Sequence, residues 1–170
     1  MKYYLSLGTN IGNRCENLRN AVNYLHDRMD LIAVSSVYET IPIGMPKQTP
    51  LFYNLVVKIK SFYKPDEILE IINKIEKKMG RNKKRTPNSK MYEDRIIDID
   101  ILLAENMIIN TENLQIPHKE MINRAFVLIP LCEINKSIMH PKYEKPVSAF
   151  LRFINEADII RKVDCKNIFI

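Results

Sequence analysis

Two aspartates stand two residues apart inside an otherwise apolar run, Arg95-Ile96-Ile97-Asp98-Ile99-Asp100-Ile101-Leu102-Leu103. The run reads as a buried strand, and because side chains alternate along a strand, Asp98 and Asp100 share one face. Two ionised carboxylates about 6 Å apart repel by about 3 kcal/mol at an effective dielectric of about 20. An isolated pair there is a poor structural choice, and a divalent cation removes the conflict. Magnesium is the hard ion that carboxylates and phosphates share. Asp-x-Asp alone is common, and ion pairing or an edge position would also explain it, but the apolar flanks favour a metal.

The remaining apolar patterns set a frame for that strand. Lys2 to Leu7 is a short β-prone run that ends in the turn-rich Gly8-Thr9-Asn10-Ile11-Gly12-Asn13. Cys15, Leu18, Val22, Leu25 and Met29 then recur at helical spacing, with Asn13 available as a cap. Leu31 to Thr40 and Leu51 to Lys60 are rich in Val, Ile and Tyr and flank a loop containing Pro42, Pro46 and Pro50. Pro65-Asp66-Glu67 opens a second helix through Ile75 and Met79, which Gly80 can end in a left-handed conformation. After Leu103, Met107 to Ile109 is expected to pair back through the Glu105-Asn106 turn. The order βαββαβ predicts an α+β, ferredoxin-like core, an antiparallel sheet with both helices on one face. Met121 to Ile134 and Pro146 to Ile154 read as helices added to it, all within one domain spanning residues 1–170.

Charge is concentrated. Lys77 to Arg95 holds eight basic residues against Glu93 and Asp94, which equals the +6 of the whole chain. One basic segment suits a compact polyphosphate at least as well as a nucleic-acid backbone, although many of these lysines would be solvated surface in any fold. Cys15, Cys132 and Cys165 are odd in number and contain no CxxC pair, so reduced cytosolic thiols are the simple reading. With no export signal and no run of the roughly 20 apolar residues a membrane span needs, the expected location is the cytoplasm, away from membranes.

Two further constellations accompany the acid pair. Ile116-Pro117-His118 through Arg124-Ala125-Phe126 enters a helix, where a histidine and an arginine could meet phosphate oxygens; a lone histidine there is also an ordinary cap. Phe52, Tyr53 and Asn54 offer ring faces and an amide that could stack and read a flat heterocycle, or simply fill a strand core.

Together these segments resemble the 6-hydroxymethyl-7,8-dihydropterin pyrophosphokinase (HPPK) family of folate biosynthesis. The pieces that carry the likeness are Leu7-Gly8-Thr9-Asn10, Ser35-Ser36-Val37-Tyr38-Glu39-Thr40-Ile41-Pro42-Ile43-Gly44, Phe52 to Asn54, Ile75-Glu76 through Gly80-Arg81, Arg95-x-x-Asp98-x-Asp100, and Pro117-His118 through Arg124-x-Phe126. They occur in order from the N-terminal strand to about Pro130.

The resemblance implies ATP as co-substrate and two Mg2+ ions held by Asp98 and Asp100, with Arg81 and Arg95 joining them as the catalytic group. Glu76, Lys83, Arg95, His118 and Arg124 would serve ATP, and backbone around Ile101 and Leu114 would hold its adenine. Phe52 and Phe126 would sandwich the pterin, with Gly8, Thr40, Pro42, Ile43, Asn54 and Asp98 completing its site. The stretch from Arg81 to Asp94 would close over ATP. Partners would be ATP and the pterin alcohol, with no nucleic acid, a monomeric state, and association with neighbouring folate-pathway enzymes. The chain departs from the family's pattern at Tyr92, where a tryptophan is often seen, and at Lys119, Asn113, Ile41 and Phe52. The main rival is an RNA-binding module, which Asp98 and Asp100 on the sheet oppose and for which no aromatic ribonucleoprotein motif is present. A different metal-dependent transferase using the same acid pair is the other.

Overall fold

The apolar patterns pair as an antiparallel sheet. The computed structural model describes residues 1–44, 46, 48–81, 94–166 and 168. The first strand, β1 (Lys2–Thr9), is almost entirely buried because it lies between β4 (Phe52–Lys60) and β5 (Asp98–Ala104), antiparallel to both. Between them in the chain come α1 (Arg14–His26), β2 (Asp30–Val34), β3 (Val37–Thr40) and α2 (Pro65–Lys78). Strands β2 and β3 are two halves of the single strand expected over 31–40, and both pair with β4. They divide at Ser35, whose amide donates to the Val56 carbonyl and whose hydroxyl accepts from the Val56 amide, each at 2.9 Å.

The helices begin and end as their terminal residues dictate. The Asn13 side chain accepts from the Glu16 amide at 3.2 Å, and Leu18, Ala21, Val22 and Leu25 bury one stripe of α1. In α2, Pro65 occupies the first turn, the Glu67 carboxylate accepts from the Lys64 amide at 2.7 Å, and Gly80 follows with φ +99°. Both helices cover one face, where Leu5, Leu7, Leu55, Val57 and Ile99 meet Leu18, Val22, Ile68 and Ile72. The opposite face, with Tyr4, Val56 and Leu102, lies under α3 (Ala125–Asn135).

Several expectations are corrected. Residues 107–109 do not extend the sheet beside β5. Instead β6 (Ile109–Asn110) pairs with β7 (Gln115–Ile116), since the Leu102 carbonyl on β5 is taken by the His118 amide at 2.9 Å. The helix expected over 121–134 is interrupted at Arg124, whose extended backbone separates a 3₁₀ turn at Met121–Asn123 from α3. Residues Val147–Phe153 form a 3₁₀ helix rather than an α-helix, after the small hairpin of β8 (Met139–His140) and β9 (Lys145–Pro146).

The C-terminal segment contributes a strand that the sequence reading did not anticipate: β10 (Ile159–Val163) pairs with β3 and gives the sheet order β10-β3-β4-β1-β5. Past it, Cys165 is disulfide-bonded to Cys15 at a Cα–Cα distance of 5.4 Å, which corrects the reading of three reduced thiols; Cys132 is the free cysteine. Their separation of 150 residues hid the pairing, because only β10 brings the tail back to α1. Among the described residues no helix is long and apolar enough to cross a membrane.

Candidate active site

A cavity opens on the α3 face of the sheet, where β1, β4 and β5 present their ends. Ser6 and Gly8 of β1, Thr40 of β3, Ile41, Pro42 and Ile43 of the following loop, and Phe52 and Asn54 of β4 form one side. Arg95, Asp98 and Asp100, with Arg124 and Phe126 at the start of α3, form the other. Strand alternation makes this possible: Phe52, Asn54 and Val56 share a face, as do Asp98, Asp100 and Leu102. The break at Arg124 then places Arg124 and Phe126 beside them, with the guanidinium 5.6 Å from the Phe126 ring centre.

The uncharged side depends on close backbone approach. Asn54 is buried and donates from Nδ2 to the Thr40 hydroxyl at 2.8 Å. Its Oδ1 lies against Gly8, opposite it in the sheet, where a Cβ would stand only 2.7 Å away. Glycine is therefore a steric requirement of the Asn54 conformation.

The charged side is a network of carboxylates and guanidinium groups. Arg81 donates to Asp98 Oδ1 at 2.6 Å, and Arg95 is hydrogen-bonded to Asp98 Oδ2. Arg81 also bonds Glu76, whose carboxylate accepts from the Ile99 amide at 2.8 Å. Burial pushes Glu76 up to about 7, with Arg81 opposing and Asp98 adding to the shift. Asp100 is pushed up to about 6 by burial and by Asp98, against Arg124, Arg95 and Arg81. His118 is pushed down to about 4 by burial and then by Arg124, so it is neutral near pH 7; its Nδ1 accepts from the Glu120 amide at 3.3 Å. Asn10 fixes the chain where the charged segment returns, donating to Asp94 at 2.6 Å and accepting from the Arg95 amide at 2.7 Å.

Most of the expected residues come together. Gly8, Thr40, Pro42, Ile43, Phe52, Asn54, Arg95, Asp98, Asp100, Arg124 and Phe126 line the cavity, and Arg81 reaches it through Asp98. Glu76 stands behind it as a brace between α2 and β5, and His118 follows β7 beside β5. Ile101 and Leu114 are buried in the core shared with α1 and α2, and the amide and carbonyl of Leu114 are both bonded to Thr111. Lys83 and Tyr92 lie outside the described residues, as does most of the expected lid. Sequence reasoning missed Ser6, Ile41 and Asn10; the Gly-Thr-Asn turn was the available signal for the last.

As donors for a metal, Asp98 and Asp100 supply oxygen only, and among the described residues no third His, Cys, Asp or Glu joins them. That set fits Mg2+, which keeps waters and shares phosphate oxygens, better than a metal needing an all-protein cage. An acid pair ringed by guanidinium groups, beside a pocket of amide and phenyl groups, fits a kinase-type transferase. Comparison with known proteins narrows this class. The family model for 7,8-dihydro-6-hydroxymethylpterin-pyrophosphokinase (HPPK) matches residues 4–136, and the chain belongs to that family.

Among its relatives, the 2-amino-4-hydroxy-6-hydroxymethyldihydropteridine pyrophosphokinase of Aquifex aeolicus is 37% identical over 147 residues, 86% of this chain and 88% of that one. The protein of the same name from Bacillus subtilis is 41% identical over 137 residues, 79% and 78% of the two chains. A crystal structure of Plasmodium falciparum HPPK-DHPS superposes with a TM-score of 0.69 at 18% identity, over 89% of this chain. This chain spans 45% of that longer protein, and the likeness concerns the fold.

Proposed function

We propose that this chain transfers pyrophosphate from ATP to the hydroxymethyl group of 6-hydroxymethyl-7,8-dihydropterin, releasing AMP. The observation that carries the reading is the meeting, in one cavity of an HPPK-family chain, of the Asp98–Asp100 pair and its arginines with the Asn54–Thr40 amide-and-hydroxyl pair. The pterin oxygen forms a bond to the β-phosphorus of ATP, the bond from that phosphorus to the α-phosphate oxygen breaks, and the hydroxyl proton is lost to solvent.

Asn54, Thr40 and the backbone of the loop from Ile41 to Ile43 read the edge of the pterin, while Phe52 and Phe126 supply apolar ring faces. Gly8 leaves room for Asn54 to do so. Arg81, Arg95 and Arg124 bind and orient the triphosphate, and Glu76 holds Arg81 toward Asp98. His118, neutral at pH 7, would serve phosphate as a hydrogen-bond donor rather than as a cation. Asp98 and Asp100 would hold two Mg2+ ions, which when bound neutralise charge on the transferring group. Alignment and charge neutralisation suffice for this chemistry, and no nucleophilic side chain is required. Backbone near Ile101 and Leu114 would take the adenine only if the Thr111–Leu114 bonds rearrange.

The same reading makes the chain one ferredoxin-like domain working in the cytoplasm as a monomer. The Lactococcus lactis bifunctional protein FolKE, 36% identical over 91% of this chain and 43% of its own length, supports association with a neighbouring folate-pathway enzyme.

The test is AMP formation from ATP, with and without the pterin, in magnesium and again in EDTA. AMP that requires both pterin and magnesium is the expected result. If folded protein released no AMP, or released it without regard to pterin, the reading would fail.

A further inference from the structure

Residues beyond 136 lie outside the segment that the family model matches, yet β10 among them pairs with the strand that gives Thr40 to the cavity wall. Strand β10 runs along the edge of β3, with Ile159 opposite Thr40 and Arg161 opposite Glu39. At its start the Asp158 carbonyl accepts from the Ile41 amide at 3.0 Å. At its end Cys165 is bonded to Cys15, and the Lys166 carbonyl accepts from Arg19 at 2.7 Å. The segment is thus a strap, fastened at both ends, across the strand that supplies Thr40.

One buried carboxylate joins the strap to the rest of the molecule. The Glu39 side chain is 5% exposed and points to the face opposite the cavity, beside Tyr53. Its Oε1 accepts from Arg14 at 3.1 Å and its Oε2 from Arg161 Nε at 2.8 Å. Arg14 also donates to the Leu51 carbonyl at 2.8 Å and lies 3.7 Å over the Tyr53 ring. A single network therefore grips both ends of the proline-rich loop, through Glu39 before it and Leu51 after it. Thr40, which follows Glu39, and Phe52, which follows Leu51, face each other across β3 and β4, and both line the cavity.

We propose that Glu39 and Arg161 are positioning residues for the acceptor half of the site: the strap acts through them to set Thr40, Ile41 and Phe52 for the flat heterocycle. This rests on the reading of that cavity as the pterin site. Arg161 is 65% exposed, so its ion pair contributes little to stability by itself. A small displacement of a positioning wall, in contrast, is felt strongly by a bound ligand. Arg161 is thereby the residue at which a structural and a positioning role give different results.

The experiment compares wild type, Arg161→Met, Arg161→Lys and Glu39→Gln in the AMP-release assay, together with direct pterin binding read from pterin fluorescence. Hydrogen exchange at the Ile41 amide is followed in the ligand-free protein. For Arg161→Met we expect the KM for pterin to rise about tenfold, with kcat and the KM for ATP changing by less than about twofold. Ile41 exchange should accelerate, and Arg161→Lys should restore most of both. Pterin binding and Ile41 exchange unchanged in Arg161→Met would overturn the proposal, whatever happens to the melting temperature. A wild type that binds no pterin would remove the proposed function and this inference with it, and that failure is visible before any variant is made.

Discussion

Asp98 lies between Arg81 and Arg95 on the α3 face of the sheet, and Glu39 lies between Arg14 and Arg161 on the other. Each carboxylate uses both oxygens on guanidinium groups, so the local pattern is the same. Their surroundings differ. The Asp98 side chain is 21% exposed, borders the cavity and has Asp100 on the same strand face, so a cation entering there gains two oxygen donors at once. The Glu39 side chain is 5% exposed, and its arginines come from α1 and β10, so it is a joint between elements. An arginine-bracketed carboxylate with a second acid and an open cavity beside it is thus a candidate for chemistry, and one buried between elements is a candidate for positioning.

The largest effect that separates the two sites is on turnover. Asp98→Asn or Asp100→Asn should lower kcat by about a thousandfold through lost metal binding, with the fold retained by circular dichroism. Glu39→Gln should leave kcat within about twofold while weakening pterin binding. Both Asn variants keeping near wild-type turnover in a magnesium titration would erase the distinction and the proposed mechanism with it.

A smaller effect tests whether the acceptor side is as tightly set as the Gly8 contact requires. An alanine Cβ at residue 8 would stand 2.7 Å from Asn54 Oδ1, and Asn54 cannot retreat without disturbing its bond to Thr40. Gly8→Ala should therefore raise the KM for pterin by roughly ten- to hundredfold, the cost of misplacing one or two hydrogen bonds, and leave the KM for ATP nearly unchanged. Equal losses for both substrates would mean that Gly8 supports the sheet rather than the pocket.

The contrast also explains what could be read from the amino-acid sequence alone. Asp98 and Asp100 were legible because a carboxylate pair in an Ile-rich strand violates ordinary patterning, and such violations mark functional sites. The antiparallel core was legible because β1, α1, β4 and α2 carry clean periodicity and recognisable caps. Glu39 was not, because one acid within Val37-Tyr38-Glu39-Thr40 looks like an outward-facing strand residue until β10 covers that edge. The strap itself was invisible: Ile159–Val163 alternates weakly, and neither its pairing with β3 nor the Cys15–Cys165 bond follows from local spacing. Hairpin β6–β7 was misassigned because its partner choice depends on the His118–Leu102 bond, a long-range competition for one strand edge. The bonds that the Glu76 carboxylate makes with the Ile99 amide and Arg81 were not legible either, because periodicity on α2 cannot reveal them.

The smallest expected effect concerns Glu76 and sharpens the comparison by adding a third arginine-bonded carboxylate. Burial raises its carboxyl from 4.5 to about 7, so the folded protein holds a proton that the unfolded chain has released. Stability contributed by that proton is fully present below the unfolded value and is lost as pH rises from about 4.5 through about 7. Asp100, raised to about 6, slopes the same way, so substituting Glu76 removes only part of the trend. Glu76→Gln keeps an oxygen for the Ile99 amide and removes the titration. In magnesium-free, ligand-free protein its melting temperature should therefore decline less than that of wild type between about pH 5 and about pH 7.5, the curves diverging by a few degrees. Identical slopes would mean that Arg81 holds Glu76 ionised throughout that range, making it a third ion-paired anchor like Glu39 rather than a buried, proton-sensitive brace.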